Sequence, residues 1–434
     1  MSNPIHSTSA KSVLPMLAMR GLATGLCAGC VVGLLRLSHD RAAARVALWL
    51  EEWREVWWTV PIWFGVLVAL AVILRRIVRE EPLISGSGIP QTELALAGRL
   101  SFTWWRVLLA KFLGSWLALF GGLALGREGP SIQMGGAVGA GFHALWRPAA
   151  PHALTGSPYV VAGAVAGLAA AFAAPAAGVL FAFEEMKSRR DTSLIVAACA
   201  SAIGAHLMIR IVFGMGRILP FAGFEAPPLS SFWIVALEGA VFGVLGVGYN
   251  KTLLWLHDRE AGQTLIPDRW RALPPLLLAG CLALFAPLLI GGGESLIIFV
   301  GEHDVALKTL ILLLAFKYLF AQYSTVASIP GGLLMPILCL GALWGRLWAE
   351  LPVSALAAHG LASGSVQPYV LFGMVSYFAA TVRAPLTGIV LVTEMSGTYT
   401  CLPGSLLAGL IACKVANLLH CPPVYDSLKE RIRL

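Results

Sequence analysis

The stretch "GREGPSIQMGGAVG" at 126–139 has a counterpart later in the chain, "GLLMPILCLGALWG" at 332–345. Both begin with glycine, carry proline four residues later, and share two further glycines at matched places. Glycine allows close backbone approach and proline interrupts helices, so the two stretches predict broken helices at corresponding places in two halves of the chain. This pattern is typical of transporters with inverted repeats, whose binding site lies near the membrane midplane where the broken helices meet.

A second pair of stretches supports the division into halves. "APAAGVLFAFEEM" at 174–186 corresponds to "APLTGIVLVTEM" at 384–395, in the same order along the chain, and the comparison aligns Glu184 with Glu394. The alternative is a chance similarity between helices that are rich in small residues. The predicted bounds are about 14–217 for the first repeat, about 231–425 for the second, and 1–434 for a single transmembrane domain.

The composition predicts a membrane protein. Of 434 residues, 58% are hydrophobic and 12% are charged, and the mean hydropathy is +0.78. The apolar stretches lack the period of two that a membrane barrel requires, so we predict an all-α polytopic membrane protein, each span needing about 20 residues. Candidate spans lie at 14–38, 55–78, 104–125, 157–185, 193–217, 231–256, 273–297, 305–327, 366–392 and 401–420.

The charged residues and tryptophans indicate an orientation. By the positive-inside rule, basic segments face the cytoplasm, and the net charge of +8 then requires no nucleic-acid partner. The polar N-terminus lacks the features of a signal peptide, so we predict an inner (plasma) membrane protein with both termini cytoplasmic. The basic segments contain Arg75, Arg76 and Arg79, then Lys187, Arg189 and Arg190, and finally Lys429, Arg431 and Arg433. The tryptophans of a predicted interfacial belt are Trp49, Trp53, Trp57, Trp58, Trp63, Trp104 and Trp105.

Other kinds of site find little support in the sequence. The eight cysteines are scattered apart from Cys27 and Cys30, and the nine histidines show no metal-binding spacing, so we predict no metal ion. No phosphate-binding loop indicates a nucleotide, and we predict no cofactor. Ser87 and His206 raise the alternative of an intramembrane enzyme, but neither lies in a nucleophile elbow or a metal-ligand spacing.

Three motifs share one design. "GSGIP" at 86–90, "GREGP" at 126–130 and "PGGLLMP" at 330–336 each place glycines before a proline and an apolar run. Proline is tolerated in the first helical turn, where no N–H is needed, so each motif predicts a helix N-terminus. Such ends carry free amide groups and a partial positive charge. Brought together in a membrane they would bind an anion, whereas the alternative is three ordinary turns.

The three motifs resemble the filter of the CLC family of chloride channels and proton/chloride antiporters, which reads GSGIP, GREGP and GxFxP. The first two match in full, and the resemblance extends to "PPVYDSL" near the C-terminus. The third departs from the pattern, because Leu334 occupies the phenylalanine position. The matched filter positions are Gly86, Gly88, Ile89, Pro90, Gly126, Arg127, Gly129, Pro130, Gly332 and Pro336.

The resemblance implies a central chloride site. Ser87 and Tyr425 would supply hydroxyl groups, and the backbone amides of Leu333 and Leu334 would complete the shell. Neutral hydrogen-bond donors hold an anion without preventing its release. The leucine at 334 keeps the amide donor but alters the apolar wall beside the ion.

Glu128 matches the external gating glutamate of the family, whose ionised carboxylate competes with chloride for the same amides and swings away when protonated. An unpaired carboxylate at membrane depth costs about 2.5 kcal/mol or more, which favours a functional role. The alternative is an acid that stabilises the first turn of its helix. For Arg127, two interpretations are open: a field at the outer mouth of the ion path, or packing against backbone carbonyls.

Glu185 matches the internal proton-transfer glutamate of the family. Its neighbour Glu184 aligns with Glu394 in the internal repeat, so we assign a structural role to Glu184 and the proton path to Glu185. The alternative is that Glu185 only pairs with Lys187 or Arg189 at the interface. Channels of the family commonly lack an acid at this position, and its presence favours coupled exchange.

We therefore predict a CLC fold that exchanges chloride for protons in the lipid bilayer, with a passive CLC-type chloride channel, voltage- or pH-gated, as the alternative. The resemblance also implies a bacterial-type homodimer with one pore in each subunit. Because the chain ends nine residues after Tyr425, we expect no C-terminal nucleotide-binding regulatory domain.

Overall fold

A computed structural model of the chain describes residues 5–52, 56, 58–150, 152–188, 191–221, 224–358 and 366–432. Several residues of the predicted basic segments and tryptophan belt lie outside these ranges: Trp53, Trp57, Arg189, Arg190 and Arg433, together with the side chain of Trp49.

The described part of the chain is built from α-helices, as predicted. The helices of its first half are α1 (Ile5–Glu52), α2 (Thr59–Glu80), α3 (Ile89–Leu96), α4 (Trp104–Phe120), α5 (Glu128–Trp146), α6 (Pro158–Phe172), α7 (Pro175–Glu184) and α8 (Thr192–Leu207). Those of the second half are α9 (Phe232–Gly262), α10 (Leu273–Phe285), α11 (Glu294–Glu302), α12 (Leu307–Val326), α13 (Leu334–Trp348), α14 (Ser354–Ala358), α15 (Gln367–Val382), α16 (Pro385–Ser396), α17 (Leu402–Leu418) and α18 (Val424–Lys429).

Seven helical segments among the described residues are long and apolar enough to cross a membrane. Three of the predicted single spans, at 157–185, 273–297 and 366–392, are wrong because each is two shorter helices. A proline follows each break and begins the next helical turn, where its missing N–H costs nothing. The membrane-length segments are Leu14–Val46, Thr59–Glu80, Thr192–Val212, Leu229–Gly262, Leu307–Val326, Leu334–Ala357 and Tyr399–Leu418.

The helices α5 and α13, which were not among the candidate spans, lie at the centre of their halves. A methyl group on Gly135 of α5 would overlap the carbonyl oxygen of Gly163 on α6, and one on Gly341 of α13 would meet that of Gly373 on α15 at 2.6 Å. The glycines that matched in sequence therefore allow the same close helix contact twice. Around α13 and α15 lies the largest cluster of buried apolar side chains.

Paired contacts relate the two halves. Gly126 and Gly332 exchange two backbone hydrogen bonds, each 2.7 Å from N to O. This mutual bridge joins the loops that precede α5 and α13, and it places the two matched stretches directly side by side. The chain is thus an inverted-repeat membrane protein in which broken helices meet at the contact between the halves.

A second paired contact involves the aligned glutamates. The carboxylate of Glu184, at the end of α7, accepts hydrogen bonds from the backbone N–H groups of Leu386 and Thr387 at 3.2 and 2.7 Å. Glu394 accepts from Ala176 and Ala177 at 3.1 and 2.9 Å. Each acid therefore satisfies free amides at the N-terminus of the other half's helix. These hydrogen bonds agree with the structural role predicted for Glu184.

The tryptophan belt is only partly as predicted. Trp58, Trp104 and Trp105 are exposed on the surface, as interfacial residues are. Trp63 is buried instead, and its ring meets that of Phe120 edge to face with centroids 5.9 Å apart. Trp63 of α2 therefore packs against α4, a contact between helices that the spacing in the sequence did not reveal.

Candidate functional site

The three glycine-proline motifs begin helices, which confirms the predicted helix N-termini. Ile89 is the first residue of α3 and follows Gly88, whose φ of +94° is a conformation that favours glycine. The helices α5 and α13 begin at Glu128 and Leu334. The first turn of each helix contains the proline of its motif, namely Pro90, Pro130 and Pro336.

The loops that carry these motifs contact one another. The N–H of Gly331 donates to the carbonyl of Gly86 at 3.0 Å, which joins the first and third loops. Gly129 of the second motif lies against Ser87 of the first, where a methyl group would overlap the serine hydroxyl. With the bridge between Gly126 and Gly332, the N-terminal ends of three helices meet in one region. Their free amides produce positive potential there without a full charge.

The hydroxyl groups of Ser87 and Tyr425 lie in this region. Both residues are buried, and neither hydroxyl forms a hydrogen bond with any other described group, although the two lie close enough to interact with each other. A buried hydroxyl that lacks a protein partner is available to a ligand or to water. The structure thus brings together two side chains that are more than three hundred residues apart in sequence.

Leu333 and Leu334 lie where the third motif enters its helix. Leu333 is the N-cap of α13 and Leu334 is its first residue, and both side chains are buried. Backbone amides at these positions have no partner within their own helix. The leucine side chain at 334 contributes only apolar surface to the main core cluster.

Glu128 is fully buried at the first position of α5. Its carboxylate lies near the backbone amides of Glu128 itself and of Met335, without the geometry of a hydrogen bond to either. Glu128 is one of the residues that line a cavity of about 800 Å³, whose walls also include His39, Asp40 and Glu294. An ionisable group therefore lies between the meeting helix ends and a space large enough for hydrated ions.

Arg127 forms ion pairs with two acids. Its Nη1 lies 3.1 Å from Asp40 Oδ1 and its Nη2 lies 2.7 Å from Glu294 Oε1, while its side chain is almost completely buried. No backbone carbonyl of the described residues accepts from Arg127, so packing against carbonyls is wrong. The two carboxylates also offset much of the positive field that Arg127 alone would place at the mouth.

Glu185 directly follows α7 and is 5% exposed. The alternative in which it pairs with Lys187 is not what the described residues show, because Lys187 Nζ pairs with Asp426 Oδ2 at 2.7 Å. Arg189, the other suggested partner, lies outside the described residues. Tyr425 lies within electrostatic range of both Glu185 and Glu128, the two candidate proton carriers.

Charged residues surround Glu185 on the side of α18. Glu93 of α3 forms an ion pair with Lys429, and Lys429 Nζ also lies 3.1 Å from Asp426 Oδ1. Burial alone would raise the pKa of Asp426, but hydrogen bonds from Lys187 and Lys429 hold it below its usual range. Asp426 is therefore a carboxylate at neutral pH.

Two buried lysines were missed in the sequence. Lys111 donates to the carbonyls of Ile84 and Gly86 at 2.8 and 2.7 Å. Lys317 does the same for Leu289 and Gly291 at 2.9 and 2.7 Å. The available signal was a single lysine within each apolar run, at the same distance before Gly126 and Gly332. Lys111 therefore stabilises the glycine-rich loop before α3, and Lys317 stabilises the one before α11.

No cluster of three or more His, Cys, Asp or Glu side chains suitable for a metal ion occurs within the described ranges. The chemistry that this arrangement supports is the binding of a small anion by neutral donors, with two buried carboxyl groups nearby that can carry protons.

Comparisons with known proteins agree with this geometry. A family model described as voltage gated chloride channel matches residues 64–417. An H(+)/Cl(-) exchange transporter ClcA from Vibrio campbellii is 35% identical over 416 residues, which cover 93% of this chain and 87% of the relative. A ClcA of the same description from Vibrio cholerae is 34% identical over 94% of this chain and 88% of that protein.

A solved structure of similar fold is a slow cyanobacterial Cl-/H+ antiporter. It superposes with a TM-score of 0.86 at 28% identity, covering 95% of this chain and 97% of that one.

Proposed function

This chain belongs to the CLC family, and on that premise we propose that it is a secondary active transporter that exchanges chloride for protons across a membrane. The observation that carries the proposal is the position of Tyr425, which interacts with Ser87 and lies within electrostatic range of both Glu128 and Glu185. One region therefore joins a neutral anion site to two acids, and this combination is what coupled exchange requires.

The proposed chloride site consists of neutral donors. The hydroxyls of Ser87 and Tyr425, which have no other partner among the described residues, would donate to the ion, and the first-turn amides at Leu333 and Leu334 would complete the shell. Hydrogen bonds from neutral groups are each worth about 1 kcal/mol, so the ion is held without being trapped.

Glu128 is the proposed gate and outer proton carrier. When ionised, its carboxylate competes with chloride for the amides at the helix ends; when protonated, it competes far less and chloride can pass. Its complete burial next to a cavity of about 800 Å³ supports both states, because the protonated side chain has space to move into.

Glu185 is the proposed inner proton carrier. It is buried and forms no ion pair with the described residues, whereas the oxygens of Glu184 accept hydrogen bonds from the N-terminus of α16. Protons would pass between Glu185 and Glu128, whereas chloride would reach the site by a separate path and meet the protons only at Glu128. A passive channel would have no need of this second acid.

We further propose that the protein is a homodimer with one pore in each subunit, located in the inner (plasma) membrane with both termini cytoplasmic. The proposed repeat bounds remain about 14–217 and 231–425, supported by the bridge between Gly126 and Gly332. The basic residues of α18 and of the segment after α7 support the orientation, since short cytoplasmic segments are rich in lysine and arginine.

The experiment that tests exchange uses purified protein in liposomes loaded with chloride. An outward chloride gradient should drive protons into the liposomes against their own gradient, and a proton ionophore should abolish this accumulation. Chloride efflux without proton movement would show a passive channel, and absence of chloride flux would contradict transport altogether.

A further inference from the structure

The C-terminal helix α18 carries a network of ion pairs. Lys429 forms ion pairs with both Glu93 and Asp426, and Asp426 in turn pairs with Lys187. The network joins three separate parts of the chain: α3, the segment after α7, and α18. None of its charges is used by the chloride site described above.

Glu93 is the most deeply buried member of this network. Its side chain is 5% exposed, and Lys429 is the cation that pairs with it within the described residues. Apart from that ion pair, neither carboxylate oxygen has a hydrogen-bond partner among the described groups. A carboxyl group in this position can accept a proton without breaking any other contact.

Glu93 and Glu185 act on each other. Glu93 lies within electrostatic range of Glu185, and the chain of ion pairs from Glu93 through Lys429 and Asp426 ends at Lys187, two residues from Glu185. Two buried carboxyl groups within electrostatic range of each other resist being ionised together, so the protonation of one depends on the state of the other. The charged groups that face the pair are Lys187 after α7 and Asp426 and Lys429 on α18, while Asp258 of α9 is engaged by Arg431.

We propose that Glu93 is a further proton-transfer residue, which exchanges protons between the cytoplasmic solution and Glu185, and that Lys429 is its positioning residue. The inference rests on the proposed function, because it assigns a step to the same proton path. In that step the O–H bond on Glu93 breaks as one forms on Glu185, directly or through water. One negative charge moves from Glu185 to Glu93, and the charge of the pair is unchanged.

Lys429 favours transfer of the proton from Glu93 to Glu185. When the proton has moved to Glu185, the negative charge remains on Glu93, where the ammonium group of Lys429 stabilises it. Without that cation the buried charge on Glu93 is unfavourable, and the proton stays on Glu93. Lys429 therefore promotes delivery to Glu185 although it carries no transferred proton itself.

The test compares proton and chloride transport of the same liposome preparations. Glu93→Gln removes the relay and should lower proton transport roughly tenfold or more, while chloride flux continues. Lys429→Met should move the internal pH of half-maximal proton transport upward by about one unit, because an opposite charge nearby shifts a titration by about that much. Lys429→Arg keeps the positive charge and should restore the wild-type pH profile.

Two variants serve as matched controls. Arg431→Met breaks the other ion pair of α18, with Asp258 at 2.8 Å, and should change transport by less than about twofold since that pair is exposed. Glu238→Gln neutralises a fully buried acid on α9 that lies outside the network and should leave proton coupling intact.

The outcomes separate this inference from the proposed function. If wild-type protein moves no protons, exchange itself is wrong. If wild-type protein moves protons and Glu93→Gln moves them equally well, Glu93 is not a relay. Should Glu93→Gln fail to fold, Lys429→Met decides: a pH profile identical to wild type in protein that still conducts chloride overturns the inference.

Discussion

The loops Gly126–Pro130 and Gly332–Pro336 have the same backbone arrangement but different side chains. Each begins with a glycine of the mutual bridge and continues into a buried helix. In the first loop the helix starts with the acid Glu128, and in the second it starts with the apolar Leu334. We propose that the repeated backbone builds the ion site and that Glu128, which has no counterpart in the second half, makes this site titratable.

The same comparison extends to the supporting residues. Lys111 and Lys317 donate to the carbonyls of Gly86 and Gly291. Glu184 and Glu394 each accept hydrogen bonds from the N-terminus of a helix in the other half. Both kinds of contact therefore occur twice. Glu185 occurs once, because Met395 follows Glu394 in the second half. Residues present in both halves support the structure, and we propose that ionisable residues present in only one half carry the protons.

The largest effect on transport is expected at Glu128, where the two matched helix starts differ in charge. Glu128→Gln mimics the protonated acid, so chloride flux should continue while proton movement stops. Its chloride flux should also be nearly independent of external pH between about pH 4 and 7.5, because no carboxylate competes for the helix-end amides. Paired flux assays of chloride and protons measure both effects. Proton pumping that survives in this variant would remove Glu128 from the path.

Glu185→Gln should also abolish proton coupling, but its chloride flux should still rise as the external pH falls, because the proposed gate at Glu128 is unchanged in this variant. The neighbouring Glu184→Gln is the matched control, since it removes a charge one residue away and should retain proton coupling. Identical pH profiles of the 128 and 185 variants would show that the gate has been assigned to the wrong residue.

The two buried lysines should have similar effects on stability. Lys111→Met and Lys317→Met each leave two buried carbonyls without a donor, at a cost of about 1–3 kcal/mol per group. Thermal unfolding in detergent should therefore show a large decrease in both variants. A strong effect of only one of them would mean that the halves do not use their lysines in the same way.

The smallest effect is expected at the chloride site itself. Ser87→Ala and Tyr425→Phe each remove one neutral hydrogen bond, so chloride binding should weaken by about 1 kcal/mol. Isothermal titration with chloride measures the change, and Leu334→Phe is the control because it keeps the amide donor. Unchanged affinity in both hydroxyl variants would place the ion elsewhere.

The sequence predicted the features that depend on local pattern. Glycine and proline marked the three helix starts, and the alignment of Glu184 with Glu394 separated the structural acid from Glu185. The helix breaks near Ala173 and Ala286 were missed because the residues on both sides are apolar, so the hydropathy stays high across each break. A single proline in such a run does not show whether a helix is kinked or ends.

Contacts between distant segments could not be predicted in this way. Arg127 pairs with Asp40 of α1 and Glu294 of α11, and Glu93 pairs with Lys429 at the other end of the chain. Charge pairing leaves no periodic signal in one sequence, and the partners are chosen by the packing of helices. The sequence therefore identified the candidate site residues themselves. The charged residues that pair with them could be identified only from the three-dimensional structure.

The most direct test of coupled exchange is the reversal potential of purified protein in a planar bilayer, measured at a fixed chloride gradient while a pH gradient is imposed. Coupled exchange predicts that the reversal potential differs from the chloride equilibrium potential and that it moves when the pH gradient is changed. A reversal potential that equals the chloride value and does not respond to the pH gradient would contradict exchange and identify a passive chloride channel.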